Sequence, residues 1–173
     1  MHAIIRAVRK HTADIIFGVL ALVLGAAALI GYGAAGDGVL RVLLWPHAKI
    51  TEAFYNTALI YQNGVGYISG GFTIGPACMG MNFIVMLFCF TVCVFTRRFK
   101  GIYKAAFFML SVIGSAAAGV IISCIRIIGS VPFLSFARFT TIHTAVGITL
   151  YLAALMGSYI LINKATGGSY EKQ

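Results

Sequence analysis

Four long apolar runs alternate with short polar segments along this chain. The runs cover residues 14–33, 78–96, 105–128 and 142–162. Each is close to the roughly 20 residues that an α-helix needs to cross the hydrocarbon core of a bilayer. A helix satisfies all its backbone hydrogen bonds within one segment, as lipid requires. The pattern therefore predicts an all-α fold, a polytopic membrane helix bundle with about four transmembrane helices.

The segment between the first two runs, residues 34–75, is the least apolar part of the chain body. Its tryptophan, phenylalanine and tyrosine residues are typical of a membrane interface. Residues 39–45 are apolar but too short to span, and this run ends at Pro46. Residues 52–61 have the pattern of a short amphipathic or re-entrant helix. We expect an extracytoplasmic interfacial segment, which either shapes a site or only connects two spans.

Composition supports the membrane assignment. The chain has 173 residues, of which 60% are hydrophobic and 10% charged, and its mean hydropathy is +0.95. Soluble domains carry about 25% charged residues. Four spans absorb nearly all of the chain, so residues 1–173 are predicted to form a single integral membrane domain. The net charge of +9 comes from basic residues gathered between apolar runs, and we predict no nucleic-acid partner.

The basic residues also predict the orientation of the spans. They are concentrated in residues 1–11, in residues 97–104 after the second run, and in the tail. Because basic loops stay on the cytoplasmic side, both termini are expected in the cytoplasm and residues 34–75 outside. The first run is interpreted as an uncleaved helix. A cleaved signal peptide is the alternative, and it gives the same orientation.

Three residues with chemical potential fall at one predicted depth, near the extracytoplasmic surface. Pro76 suits the first position of a helix, so Cys78 is predicted in a first turn, where the helix dipole favours a thiolate. Arg126 lies near the outer end of the third span, and His143 begins the fourth. Ionisable residues within spans indicate function. Each also has a structural interpretation: a small core thiol, an arginine extended to the headgroups, and an interfacial histidine.

A cysteine, a histidine and an arginine at one depth form a set suited to acyl transfer. Cys78 would attack an amide carbonyl as the nucleophile, and His143 would act as general acid and base. Arg126 would stabilise the oxyanion or hold a substrate carboxylate. Arg138, in the same outer loop, is a further candidate for substrate binding, or a solvated loop charge. No carboxylate is predicted close enough to complete a triad.

These residues resemble the exosortase/archaeosortase family. The resemblance covers about residues 70–155 and is carried by Cys78-Met79-Gly80, by Arg126 in Ser-Cys-Ile-Arg, and by His143 in Ile-His-Thr-Ala-Val-Gly. Many members have Ser or Thr where this chain has Met79, Asn where it has Ser123, and about eight spans instead of four. The chain is thus similar to a short form, such as the exosortase K subgroup, and these departures bear mainly on the sorting motif.

The resemblance implies a membrane-embedded cysteine transpeptidase or protease in the cytoplasmic membrane of a prokaryote. Its partners would be the lipid bilayer and exported proteins with a C-terminal sorting signal, consisting of a motif, a hydrophobic helix and a basic tail. The signal would be cleaved through a thioester and the product passed to an acceptor. A substrate helix is expected to approach small residues such as Gly80, Gly119 and Gly147. The predicted substrate-binding residues are Arg138, Asn82, Gly80 and Ser123.

Two other functions remain open from the sequence. A four-helix thiol–quinone oxidoreductase needs a closely spaced reactive pair, and only Cys124 is a second cysteine near the outer face. The four cysteines form neither a C-x-x-C motif nor a Cys/His metal spacing, so no metal and no cofactor is predicted. A non-catalytic membrane scaffold or channel subunit is the second alternative, and it would tolerate replacement of Cys78, Arg126 and His143.

Overall fold

The computed structural model describes residues 2–136 and 138–167, with side chains from residue 12 onward. Within this part of the chain, most residues are helical. The five α-helices are α1 (His2–Gly33), α2 (Asp37–Tyr55), α3 (Met81–Phe95), α4 (Ile102–Ser130) and α5 (Phe139–Gly167). Single 3₁₀ turns at Pro76–Met79, Thr96–Arg98 and Val131–Phe133 join or extend them.

The described residues contain four helices that are long and apolar enough to cross a membrane. They cover Thr12–Gly33, Pro76–Arg98, Ile102–Phe133 and Phe139–Gly167. Each overlaps one of the four apolar runs of the sequence. The prediction of an all-α membrane helix bundle with four spanning helices is therefore confirmed.

Residues 34–75 contain a helix, α2, that continues through Pro46, the residue at which the apolar run 39–45 ends. Proline inside a helix costs about 3 kcal/mol, because it removes a hydrogen bond and crowds the preceding turn. Burial of one face on both sides of the proline outweighs this cost. The buried residues of that face are Leu44, His47, Ala48 and Thr51.

The predicted helix over residues 52–61 is wrong beyond Tyr55. The helix α2 ends at Asn56, whose left-handed conformation (φ 50°) turns the chain away. The Glu52 carboxylate then accepts the Leu59 N–H at 2.8 Å, which holds the departing chain. An antiparallel sheet follows, with strands β1 (Ile60–Gln62), β2 (Gly66–Ser69) and β3 (Phe72–Ile74) in that order.

The α2–sheet unit is packed onto the ends of the spanning helices. Leu44 and Ala48 of α2 share a buried cluster with Tyr67 and Ile74 of the sheet and with Ile127 of α4. In addition, the Tyr55 hydroxyl of α2 donates a hydrogen bond to the Ile128 carbonyl of α4, at 2.7 Å. The unit therefore belongs to the same folded body as the end of α4, and it positions β3 against that end.

The helix α3 lies at the centre of the bundle and packs against α1 and α4, and over a shorter length against α5. Gly119 of α4 admits Ile84 of α3, because a Cβ at Gly119 would lie 2.1 Å from the Ile84 Cγ1. At the opposite end from Ile127, Lys104 of α4 forms a salt bridge with Asp14 of α1, and both side chains are 8% exposed. Lys104 is thus a packed residue of the bundle, whereas the sequence assigned it only to the basic cluster of residues 97–104.

Candidate active site

Cys78 lies in a single 3₁₀ turn, Pro76–Met79, that precedes the long helix α3. Gly80 follows in the left-handed conformation (φ 69°), and α3 begins only at Met81. Pro76 therefore starts a short turn, and the prediction that Cys78 belongs to the first turn of the long helix is corrected. The argument from the helix dipole loses its geometrical basis, since one 3₁₀ turn does not align many peptide dipoles.

Three carbonyls of this Cys78 turn accept hydrogen bonds from side chains of other helices. The Tyr32 hydroxyl of α1 donates to the Pro76 carbonyl at 2.6 Å. Arg126 of α4 donates through Nη2 to the Ala77 carbonyl at 3.1 Å, and Ser123 of α4 donates to the Met79 carbonyl at 3.1 Å. Just before the turn, the carbonyl of Gly75 accepts the Cys78 N–H at 2.9 Å. The turn is therefore positioned from both sides, although it is not part of a regular helix.

Cys78 and His143 line the same cavity, which has a volume of about 280 Å³. Its walls come from the Cys78 turn, the end of α4, the start of α5 and the strand β3, which contributes Phe72 and Thr73. Both Cys78 and His143 are half-buried. Two residues separated by 65 positions are thus brought together, and the interfacial segment helps to shape the space between them.

Ser130 orients the imidazole of His143. Its Oγ lies 2.8 Å from the His143 Nδ1 and also bonds the backbone carbonyl of Arg126, one turn earlier in α4. A serine hydroxyl has a single proton to donate. Because that proton is used on the Arg126 carbonyl, Nδ1–H must be the donor to Ser130. In the neutral ring this assignment leaves Nε2 with a free lone pair, as a general base requires. The ring also stacks on Phe139, at 5.6 Å between centroids.

Arg126 lies on the other side of the Cys78 turn and lines a second cavity, of about 360 Å³. Its guanidinium stands 5.4 Å from the centre of the Tyr151 ring, and that ring stacks on Phe83 at 4.4 Å. The first cavity, which holds Cys78 and His143, is not lined by Arg126. The arginine therefore fixes the Cys78 turn, and its charge lies behind the thiol, outside the space that the thiol and the imidazole share.

The four predicted substrate-binding residues are not gathered in one place. Ser123 is fully buried and used in the bond to Met79. Gly80 is enclosed, since a Cβ there would lie 2.5 Å from the Ser123 Oγ. Asn82 is exposed on the rim of the Arg126 cavity. Arg138 is exposed, and it lines neither of the two cavities. Gly80 and Asn82 border the Arg126 cavity, and none of the four residues lines the cavity of Cys78 and His143.

The glycines proposed for a substrate helix are occupied by this chain itself. Gly119 receives Ile84, and a Cβ at Gly147 would lie 3.0 Å from the Arg126 Cδ. Gly80 is enclosed by Ser123 and the Tyr151 hydroxyl. These small residues serve internal packing, and the expectation that they open a groove for another helix is corrected.

Sequence reasoning missed His47, a fully buried histidine of α2. Neither ring nitrogen forms a hydrogen bond of regular geometry within the described part of the chain. Burial lowers the pKa of His47; the Leu43 carbonyl opposes this shift and the charge of Arg126 adds to it. Burial therefore favours the neutral ring, in a helix that packs against the Cys78 turn. The sequence contains an indication of this burial, because residues 44, 47, 48 and 51 share one face of a helix.

All four cysteines are free thiols. Cys124 is buried in α4, and it does not line the cavity of Cys78. A redox pair at that cavity, which the oxidoreductase alternative requires, is therefore not formed by these two residues. Among the described residues, no three His, Cys, Asp or Glu side chains lie together in a way suited to holding a metal ion.

Comparison of this chain with protein-family models, with curated proteins and with solved structures finds no match.

Proposed function

We propose that this chain is a membrane-embedded cysteine peptidase or transpeptidase of the exosortase type. The observation that supports it is the cavity shared by Cys78 and His143, with the imidazole oriented by Ser130. A thiol beside an imidazole whose other nitrogen is fixed has the arrangement of an activated nucleophile. The proposal places the reaction at one end of the bundle, where an exported protein tethered by its own C-terminal helix would present its scissile bond.

In the first half-reaction, Nε2 of His143 takes the thiol proton of Cys78. The sulfur forms a bond to the carbonyl carbon of the substrate, and the C–N bond then breaks. The departing amine takes the proton from His143, and a thioester remains on Cys78. In the second half-reaction, an acceptor amine or water gives a proton to His143 and attacks the thioester, and the Cys78 thiolate leaves.

Two residues position this pair and do not themselves react. Ser130 is a positioning residue that selects the Nδ1–H tautomer of His143. Arg126 is a positioning residue for the Cys78 turn, because its guanidinium donates to the Ala77 carbonyl. The role of oxyanion donor, expected from the sequence, does not suit its position outside the shared cavity.

The proposed substrate is an exported protein with a hydrophobic C-terminal helix and a basic tail. Tethering in the same bilayer raises its effective concentration at the site, so a small cavity is sufficient for recognition. The proposed location is the cytoplasmic membrane of a prokaryote, with the Cys78 end of the bundle on the extracytoplasmic side. This orientation follows from the basic loops.

The first test measures the reactivity of Cys78 with a membrane-impermeant alkylating reagent. Cys89, Cys93 and Cys124 are replaced by Ala, and the labelling rate is followed against pH in outward-facing vesicles. We expect labelling from outside and a rate profile that is centred well below pH ~8.5, where a free thiol titrates. His143→Gln should move the profile up towards that value, because the imidazolium no longer stabilises the thiolate.

A matched pair of serine variants separates positioning from simple packing. Ser130→Ala should shift the pH profile, whereas Ser111→Ala should not. Both serines lie in α4 and bond the carbonyl four residues earlier, but Ser111 is remote from His143. If the labelling profile of Cys78 is the same with and without His143, the proposal loses its physical basis. If it depends on His143, trapping of a thioester with a tethered reporter protein, lost in Cys78→Ser, is the decisive second measurement.

A further inference from the structure

Arg126 has a positive charge with no acidic partner in the described part of the chain. The three acidic residues described there are otherwise engaged. Asp14 pairs with Lys104, Glu52 pairs with Lys49, and Asp37 accepts from Tyr61 and Gly64. A half-buried guanidinium at the end of a membrane bundle is stabilised by a counter-ion, and this chain supplies none within the described residues.

Two residues that line the cavity beside Arg126, the arginine itself and Tyr151, carry hydrogen-bond donors without acceptors. The Nε of Arg126 and the hydroxyl of Tyr151 are both shielded from solvent, and neither has a hydrogen-bond partner among the described residues. Both residues border the cavity of about 360 Å³, and the Asn82 amide lies on its rim. Buried donors without acceptors cost about 1–3 kcal/mol each. An acceptor-rich ligand in this cavity would relieve that cost.

The walls of the cavity also indicate its depth. The last turn of α1 contributes Leu29, Tyr32 and Gly33, and the first residues of α3 form the opposite side. Both helices begin or end here, so the cavity lies at the level where a bilayer changes from hydrocarbon to headgroups. Tyr32 donates its proton to the Pro76 carbonyl and is not available to a ligand as a donor. Phosphodiesters are the commonest anions at this level, and arginine binds phosphate oxygens in a bidentate manner.

We propose that the Arg126–Tyr151 cavity binds an oxyanion of the phosphate class, either a phospholipid headgroup or free phosphate. Arg126 supplies the charge through its guanidinium, Tyr151 donates its hydroxyl, and Asn82 donates its amide at the rim. The anion neutralises Arg126 and so completes the support of the Cys78 turn, to which the same guanidinium is bonded. The site does not depend on the proposed acyl transfer, because it is defined by Arg126 and not by the Cys78–His143 cavity.

The test is the thermal unfolding midpoint of the full chain, purified in a maltoside detergent that contains no phosphate. Sodium phosphate is titrated at constant ionic strength against sodium chloride. Phosphatidylglycerol is titrated separately into the same micelles. A ligand that binds only the folded state raises the midpoint in a saturable way. We expect saturation with at least one of the two, and no saturable effect of chloride.

Three variants decide whether the bound anion is at this cavity. Tyr151→Phe keeps the ring that stacks on Phe83 and removes only the hydroxyl, so the half-saturating concentration should rise about fivefold. Arg126→Gln should raise it about tenfold or more. Tyr159→Phe, on the same helix with its ring against Phe95, is the matched control and should not change it.

The two titrations distinguish the source of the anion. Saturation by phosphate alone, with the variant pattern above, identifies a free anion. Saturation only by phosphatidylglycerol, with the same pattern, identifies a headgroup site. The proposal is overturned if neither phosphate nor phosphatidylglycerol gives a saturable shift. It is also overturned if Tyr151→Phe titrates like its control Tyr159→Phe and the unmodified chain. Tyr151→Phe keeps the test decisive even if Arg126→Gln fails to fold.

Discussion

Replacing Gly80 by alanine should disrupt the Cys78 turn and destabilise the whole bundle. Gly80 separates the turn, which ends at Met79, from α3, which begins at Met81, and its φ is 69°. An L-residue pays about 1–2 kcal/mol in the left-handed region. The new Cβ would also lie 2.5 Å from the Ser123 Oγ and 2.8 Å from the Tyr151 hydroxyl. Both contacts are too short, so one or both neighbours must move.

The cost of that movement follows from what the neighbours do. Displacing Ser123 weakens its bond to the Met79 carbonyl, worth about 1 kcal/mol. Pushing the Tyr151 ring disturbs its stack on Phe83, and overpacking of this kind costs about 1–3 kcal/mol. Together with the backbone term, we expect Gly80→Ala to lower the free energy of unfolding by about 3–6 kcal/mol.

The assay is equilibrium unfolding in mixed micelles with increasing dodecyl sulfate, followed by circular dichroism, with the alkylation rate of Cys78 as a local readout. Gly114→Ala is the matched control, because Gly114 lies in α4 with nothing within 4 Å of a new Cβ. Alanine is the better helix former there by about 1 kcal/mol, so this variant should be neutral or slightly stabilising. A Gly80→Ala protein within about 0.5 kcal/mol of the unmodified chain would refute the reasoning.

Three further predictions concern packing and charge elsewhere. Gly119→Ala should destabilise the bundle by about 1–3 kcal/mol in the same unfolding assay. Adding Ile84→Ala should recover part of this loss, because the new Cβ at residue 119 then has room. If nothing is recovered, the contact between Gly119 and Ile84 is not the cause of the loss. Lys104→Met should cost about 3–5 kcal/mol by leaving Asp14 buried and unpaired, and a smaller loss in a double variant that also carries Asp14→Leu would confirm the buried pair. The pKa of Glu52 is lowered by its bond to Lys49 and then by the Leu59 N–H. The ionised carboxylate therefore stabilises the fold above the ordinary carboxyl pKa, and this stabilisation is lost as the pH falls through the lowered pKa. When the pH is lowered through this range, the unfolding midpoint of Glu52→Gln should fall less than that of the unmodified chain.

The four spanning helices were predictable because lipid imposes a simple rule on sequence. About 20 apolar residues in a row suffice to indicate a span, and no long-range contact has to be known. The same rule gives no information on residues 34–75, which lie outside the apolar runs. There, burial of the Leu44–Thr51 face outweighs the local effect of Pro46, and the left-handed Asn56 ends the helix. Both effects depend on partners that are distant in sequence.

The candidate site was predictable in its membership more than in its geometry. The depth predicted from the sequence assigns Cys78, Arg126 and His143 to one end of the bundle. Depth does not give the rotation of each helix, and rotation decides that Arg126 faces the cavity of Tyr151 while His143 faces that of Cys78. Ser130 and Tyr151 escaped prediction for the same reason, since serine and tyrosine near helix ends are common and gain meaning only from what they face.

Arg126 contributes to both halves of the site through different atoms. Its guanidinium binds the Ala77 carbonyl beside Cys78, and its own backbone carbonyl accepts the Ser130 hydroxyl that fixes the His143 tautomer. The proposed nucleophile and the proposed base are therefore both positioned by a single residue of α4. Because a backbone carbonyl in a helix is rigid, the orientation of His143 depends on the path of α4 and not on the arginine side chain. The position of the Cys78 turn, in contrast, depends in part on the arginine side chain, and hence on the oxyanion that we propose to neutralise its charge.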